Sequence, residues 1–509
     1  MSPGWDRAKG LLATVADLHD TLALLQWDQQ TGMPEAAAEG RAEQIATLSR
    51  LAHERATDPE LGRLLEALER GGGPASDPET DEGALVRVAL RDFRRATRLP
   101  SDLVEDLARA AALAEPAWAA AREASDWGRF APHLERIVAL VRRTAEAYGY
   151  AEHPLDPLID LHEPGMTRAR LAPILAALRA DLVPIVRAVA EQRDGREAPL
   201  HGDFDEAAQE TFGREVVERF GYDWRRGRQD RAVHPFCAGM GPDDVRITTR
   251  FDRSFLPTAL FSTLHEAGHA MYEQGVARAY ARSPLAGGAS TGVHESQSRL
   301  WENQVGRSRR FWQAFYPRLR ELFPEALGAV GIEAFYRAIN RAAPTPIRVE
   351  ADELSYNLHV LLRFELETEL LDGRLAVSGV PAAWNDRMAE YLAIAPQDDA
   401  EGALQDVHWS SGAFGYFPTY TVGNLLSAQL YEAAAAARPE IPEEIERGAF
   451  DALRAWLAES VWRHGRKYDP DELVTRATGR PLEPGPYLRY LGAKFGELYE
   501  LPLAVTTEA

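Results

Sequence analysis

A chain of 509 residues, 45% hydrophobic and 27% charged, has the composition of a globular protein and exceeds what one hydrophobic core usually supports. Its formal net charge of −21 argues against nucleic acid as a partner, because phosphate binding needs clustered Lys and Arg. No stretch reaches the roughly 18 uninterrupted apolar residues of a membrane span. At the N-terminus Asp6, Arg7, Lys9, Asp17 and Asp20 interrupt the apolar runs, unlike a signal peptide. The single cysteine, Cys237, can form neither an internal disulfide nor a cysteine zinc site, and reads as a small buried hydrophobe. A cytoplasmic location is expected.

From Trp5 to about Glu69 the apolar residues recur at three- and four-residue intervals, Leu11, Leu12, Val15 and Leu18 among them, which predicts helices. Gly71-Gly72-Gly73-Pro74 and the acidic stretch to Glu82 break the pattern as a surface loop. Helical periodicity resumes from about Ala84 to Tyr148 and from Thr167 to Arg193, with Pro154, Pro157 and Pro164 marking an irregular connection. β-Branched residues cluster only at Val245-Arg246-Ile247-Thr248-Thr249-Arg250-Phe251, which predicts a strand in a small sheet. An exposed edge there could pair with an extended peptide. From Pro257 to about Glu500 the pattern is again helical. The expectation is one mainly α catalytic domain over residues 1–509, its N-terminal helical part (about 1–200) and catalytic part (about 201–500) flanking a cleft.

The segment His265-Glu266-Ala267-Gly268-His269 is an HEXXH pattern. Helical residues four apart share a face, so His265 and His269 can reach one Zn²⁺ while Glu266 serves as base toward the water that the metal activates. The context suits this reading. Pro257 and Thr258 suit a helix start, Gly275 its end, and Leu260, Leu264, Ala267 and Met271 form an apolar stripe away from the histidines. A catalytic zinc needs a third protein ligand and an open position. Tyr272 and Gly275 stand where the long metzincin motif requires Gly and His, so that class is excluded. Glu295, in His294-Glu295-Ser296-Gln297 after the Ala286-Gly287-Gly288-Ala289 turn, and Glu302, seven residues farther on, are equally placed by spacing.

Further strings lie along the chain in order: Trp27-Asp28 with Met33-Pro34, His234-Pro235-Phe236, Asp244-Val245-Arg246-Ile247-Thr248, Ile347-Arg348-Val349-Glu350-Ala351-Asp352, Gly402-Ala403-Leu404-Gln405-Asp406-Val407-His408-Trp409 and Gly415-Tyr416-Phe417-Pro418-Thr419-Tyr420. With the histidine motif they resemble the carboxypeptidase Taq family of zinc metallocarboxypeptidases over nearly the whole chain. The resemblance implies a large helical zincin-type fold with a deep substrate groove and a small sheet beside the metal. It also implies one catalytic divalent metal, a homodimer, and removal of C-terminal amino acids with broad side-chain tolerance. It assigns Glu295 as third ligand and leaves Glu302 to support the site from behind.

The remaining roles follow from chemistry within those motifs. His408, accompanied by Asp406, and Tyr416 or Tyr420 are suited to donate to the oxyanion, with Tyr420 placed in the catalytic set and Tyr416 at the substrate. Arg348 can take a free α-carboxylate through two parallel hydrogen bonds, the alternative being a salt bridge to Glu350, Asp352 or Glu353. Arg246 or Arg250 would be next for that task. Asp244, Arg246, Asp352 and Gln405 join Asp406 as supports that orient the working residues. His234 lines or buttresses the site. Zn²⁺ is the expected metal, with Co²⁺ or Mn²⁺ as substitutes. The nearest alternative is an endo- or oligopeptidase with the same catalytic core.

Overall fold

The computed structural model describes residues 3–192 and 198–501. The first expected helical stretch forms three helices, Pro3–Thr31, Ala38–Ala56 and Pro59–Arg70. The loop after them contains a single 3₁₀ turn, Pro74–Ser76, before the next helix opens at Asp81. Helices Ser101–Ala124, Trp127–Tyr148 and Arg168–Ala190 follow. The expected end at Arg193 lies outside the described residues.

The described residues form two compact units, each drawn from three stretches of chain. The first lies within Met1–Thr97, Arg196–Ile339 and Gln429–Pro481, the second within Arg98–Gly195, Asn340–Ala428 and Leu482–Ala509. The first unit has a core in which Trp5, Leu12, Leu61, Leu65 and Val86 pack with Val276, Tyr280 and Leu285, so the N-terminal helices are anchored to the segment after the histidine motif. In the second, Tyr356, Val360 and Phe417 form a cluster against which Tyr420 and Ala351 pack. No helix among the described residues is long and apolar enough to cross a membrane.

The sheet has three strands, β1 (Gln229–Arg231), β2 (Cys237–Gly239) and β3 (Val245–Thr249). Their order is β1-β3-β2, with β1 parallel and β2 antiparallel to β3. The expected strand thus exists but occupies the middle. Ile247 sits opposite both Gln229 and Cys237, so β3 has no free edge to offer a peptide. The two flanking strands are three residues each, too short to show a period-two pattern, which is why the sequence showed an edge where there is a centre.

The helix Pro257–Gly275 lies against β3, where Thr249 Oγ1 is 3.2 Å from Ser262 Oγ. Proline at its first position costs no hydrogen bond there. Gly275, at its end, is required by packing, since a Cβ there would fall 2.7 Å from the Trp462 side chain. Gly268 is constrained more closely still: a Cβ would lie 2.6 Å from the carbonyl oxygen of Gln297 and 2.7 Å from Ser298 Cα. A glycine between the two histidines therefore lets the helix Thr291–Arg299 approach backbone to backbone. Ser290 caps that helix through a 3.0 Å bond from Val293 N–H.

Candidate functional site

His265 and His269 leave one face of their helix with ring centroids 4.9 Å apart. Glu295 arrives from the Thr291–Arg299 helix, its Oε2 lying 3.6 Å from His265 Nε2 and 3.4 Å from His269 Nε2. One ligating atom from each of the three residues lies within 4.8 Å of the others. Each imidazole's other nitrogen is occupied: His265 Nδ1 is 2.9 Å from Glu302 Oε2, and His269 Nδ1 is 2.5 Å from His294 Nδ1. This leaves Nε2 of both rings facing the carboxylate.

Glu302 does not lie on an ordinary continuation of the helix that carries Glu295. Residues Leu300–Val305 form a π-helical stretch, whose wider turn spoils the seven-residue repeat that made the two acids equivalent by spacing. Glu302 instead bonds His265, and it receives Arg299 Nη1 at 3.4 Å and Arg307 Nη2 at 3.2 Å. Glu295 accepts Arg299 Nε at 2.7 Å and Ser298 Oγ at 3.1 Å. Burial favours the neutral acid, but Arg299 and the two histidines overcome it and hold Glu295 well below the usual carboxylate range. Glu266 lacks such guanidinium support, and burial, reinforced by Glu295 and Glu302, pushes its carboxyl up to about 7. For His265 the neighbouring Glu295 and Glu302 outweigh burial and raise the imidazole above its ordinary value. The pocket between these groups thus attracts a cation, and a proton and a metal ion compete for the same lone pair. Two imidazoles and one carboxylate are a donor set that fits a catalytic divalent metal.

The second unit holds a separate buried cluster. Arg348, 6% exposed, donates from Nε and Nη2 to Asp406 Oδ1 at 3.1 and 2.8 Å and from Nη1 to Tyr356 Oη at 3.0 Å. Arg363 donates to Asp406 Oδ2 at 2.6 Å and to Gln405 Oε1 and the His359 carbonyl, each at 2.7 Å. Gln405 also accepts from Arg348 N–H at 2.8 Å and donates to the Pro346 and Glu401 carbonyls. It thereby fixes the backbone that carries Arg348. Burial first, then the two guanidiniums, lower His408 to about 4, so its imidazole is neutral at pH 7. His408 stacks on Tyr416 and packs at a tilt against Phe417, with ring centroids 5.8 and 4.6 Å away, and its Nδ1 is buried without a hydrogen-bond partner. Tyr420 packs edge-on to Tyr416 and Tyr356, and Arg348 lies 5.4 Å from its ring centre. Burial raises its phenol, which stays protonated as a donor.

Other expected residues have different partners. The local acids do not hold Arg348: Asp352 accepts from the backbone N–H groups of Ala343, Leu354 and Ser355, and Glu353 pairs with Lys494. Asp244 and Arg246 bond each other at 2.8 and 2.7 Å, and Arg246 lies 4.4 Å from the Trp27 ring centre. His234 and Arg250 are exposed. Sequence reasoning passed over Arg363, Glu367 and Glu273. The first two are buried on the helix Tyr356–Asp372, whose run Arg363-Phe364-Glu365-Leu366-Glu367 alternates charge with apolar residues and gives no sign of which charges turn inward. Glu367 accepts from Trp409 Nε1 and from Gly415 N–H, both at 2.9 Å. The Cys237 thiol, raised by burial, takes no part in the metal donor set.

Residues 7–495 match the family model of the carboxypeptidase Taq (M32) metallopeptidases. The chain belongs to that family. It is 42% identical to thermostable carboxypeptidase 1 of Thermus thermophilus, the match covering 94% of this chain and 95% of that one. It is 37% identical to carboxypeptidase 1 of Bacillus subtilis over 96% and 98% of the two chains. The crystal structure of the M32 carboxypeptidase from Deinococcus radiodurans superposes with a TM-score of 0.95 at 46% identity, covering 98% of this chain and all of that one. The protein is accordingly a metal-dependent carboxypeptidase, a peptide hydrolase that uses a metal cofactor.

Proposed function

We propose that this carboxypeptidase uses zinc, held by His265, His269 and Glu295, to remove C-terminal amino acids from peptides with broad side-chain tolerance. The observation that carries the reading is the convergence of two Nε2 atoms and one carboxylate oxygen, with both Nδ1 atoms turned to partners behind them. When bound, zinc acidifies water and polarises the scissile carbonyl. Co²⁺ or Mn²⁺ would satisfy the same donors. Glu266 takes the proton of the attacking water on a carboxylate oxygen and passes it to the leaving amine. Neutral His408 and the Tyr420 phenol donate toward the developing oxyanion, with Tyr416 and His234 on the substrate side. Arg348 receives the terminal carboxylate. Two guanidiniums share the one carboxylate of Asp406, which leaves a positive charge in excess.

The working assembly is a homodimer in the cytoplasm, acting on peptides and not on nucleic acid or membranes. Light scattering at micromolar concentration checks the assembly, and a monomer mass would remove it. Mass-spectrometric product mapping tests the activity. Chelator-treated enzyme should be inactive until zinc is restored, then shorten an unmodified peptide stepwise from its C-terminus and act far more slowly on the C-terminally amidated form. Internal cleavage of the amidated peptide would replace the exopeptidase reading with an oligopeptidase.

A further inference from the structure

Behind His269 lies a chain of contacts that the histidine motif does not contain. His294 Nδ1 is 2.5 Å from His269 Nδ1, and His294 Nε2 is 2.7 Å from Glu273 Oε1. Two facing Nδ1 atoms at that distance hold one proton between them. A carboxylate oxygen accepts, so His294 presents an N–H to Glu273 from Nε2. Its Nδ1 is then the acceptor for the Nδ1–H of His269. The one lone pair left to His269 is on Nε2, toward Glu295. The opposite arrangement, with a proton on His269 Nε2, would block a metal.

The His294 ring is also built into place. A Cβ at Gly288 would fall 2.8 Å from His294 Cδ2 and 3.0 Å from the Tyr272 ring, so only glycine lets the 286–289 turn close over the imidazole. Tyr272 anchors that turn by accepting Ala289 N–H at 3.1 Å, and its ring lies 5.3 Å from that of His294.

We propose that Glu273 and His294 are positioning residues, a relay seated under Gly288 that fixes His269 in its metal-binding tautomer, while Glu302 acts on His265 independently. This rests on the metal reading of the site. It divides the support of the two histidines: a carboxylate touches one directly and reaches the other only through a second imidazole. Loss of either relay member should therefore act through His269 alone.

The test is zinc affinity of the purified full chain by competition with a chromophoric chelator, together with ¹⁵N-histidine NMR of the zinc-loaded enzyme. His294→Phe and Glu273→Met should each weaken zinc by about 10–100-fold, the usual effect of removing a partner behind a ligand. The double variant should be no weaker than the worse single one within about threefold, because the two residues form one chain. Combining Glu273→Met with Glu302→Gln should instead multiply the losses. In the parent, His269 should show a protonated Nδ1 that exchanges slowly, and this signal should vanish in Glu273→Met. Gly288→Ala should weaken zinc to a smaller degree. Glu273→Gln, which keeps an oxygen for His294, should fold as the parent does and lose less than Glu273→Met. Zinc affinity unchanged in Glu273→Met, or losses that multiply in the Glu273–His294 double variant, would overturn the relay. A parent that binds no zinc would overturn the metal reading itself.

Discussion

The cluster around His265 in one unit and the cluster around Arg348 in the other are both buried, and each has more of one charge than it neutralises. They differ in sign. Around the histidines, the acids Glu266, Glu295 and Glu302 outnumber Arg299 and Arg307, and the negative charge left over raises Glu266 and His265 toward their protonated forms, so that protons stand in where a cation would bind. Around Arg348, two guanidiniums meet Asp406 alone. Burying unpaired charge is costly, so surplus of either sign indicates a ligand that supplies the rest. The surplus carboxylates suit a divalent cation. The surplus guanidinium suits the carboxylate that distinguishes a peptide's end from its middle.

The acidic cluster should be the more sensitive. Glu266→Gln should keep the metal and lose about 10²–10⁴-fold in turnover, the range expected when a general base is removed. Retention of more than about a tenth of parental turnover would transfer the role of base to another residue. Metal analysis after gentle purification should rank Glu295→Ala below Glu302→Ala, and the reverse order would exchange ligand and support. In the basic cluster, Arg348→Ala should lose about 2–5 kcal/mol of transition-state binding on free-acid peptides and far less on amidated ones. Arg363 keeps Asp406 paired in that variant, so the fold should survive. Equal losses on both substrates would mean that Arg348 only braces Asp406 and Tyr356.

The same two clusters show what the sequence could reveal. HEXXH is legible because its spacing and helical geometry are local. The strand at Val245 and the helix ends at Pro257 and Gly275 were legible for the same reason. Glu295 and Glu302 could not be ranked by spacing, because nothing in Leu300–Val305 signals a π-helical stretch. The partner of Arg348 was out of reach as well: Asp352 holds the backbone of the turn before Tyr356, Glu353 pairs with Lys494, and the arginine bonds Asp406, 58 residues later. Family resemblance pointed to Glu295 without supplying the reason. The reason lies in the close helix approach at Gly268 and in the contacts behind each imidazole.

A smaller effect is expected at Glu367, which ties Trp409 and Gly415 to the helix that carries Arg363. Burial pushes its carboxyl up to about 7 from an ordinary 4.5. Between those values the unfolded chain ionises while the native chain stays protonated. The contribution to stability is thus full below about 4.5 and is lost as pH rises through about 7. Glu367→Gln strands one of the two donors and should cost about 1–3 kcal/mol. The stability gap between parent and variant, read from urea melts, should narrow from about pH 5 to about pH 8. A gap that widens would mean that Glu367 is held ionised by Arg363, making the basic cluster neutral.

The smallest effect belongs to Asp244, whose motif position suggested a part in orienting the metal ligands. Its carboxylate takes both Nε and Nη2 of Arg246, and its side chain is 41% exposed. No hydrogen bond joins either residue to His265, His269 or Glu295 among the described residues. A half-exposed ion pair is screened by salt and contributes less than about 1 kcal/mol. Asp244→Asn should therefore lower stability slightly, less so at high ionic strength, and leave metal content and turnover unchanged. Arg246→Ala should cost more, because its guanidinium lies 4.4 Å from the Trp27 ring centre and the side chain is mostly buried. Metal content separates the possibilities. If Asp244→Asn releases the metal while stability barely changes, β3 transmits an orienting force to the histidine helix, and the acidic cluster extends beyond the residues that touch it.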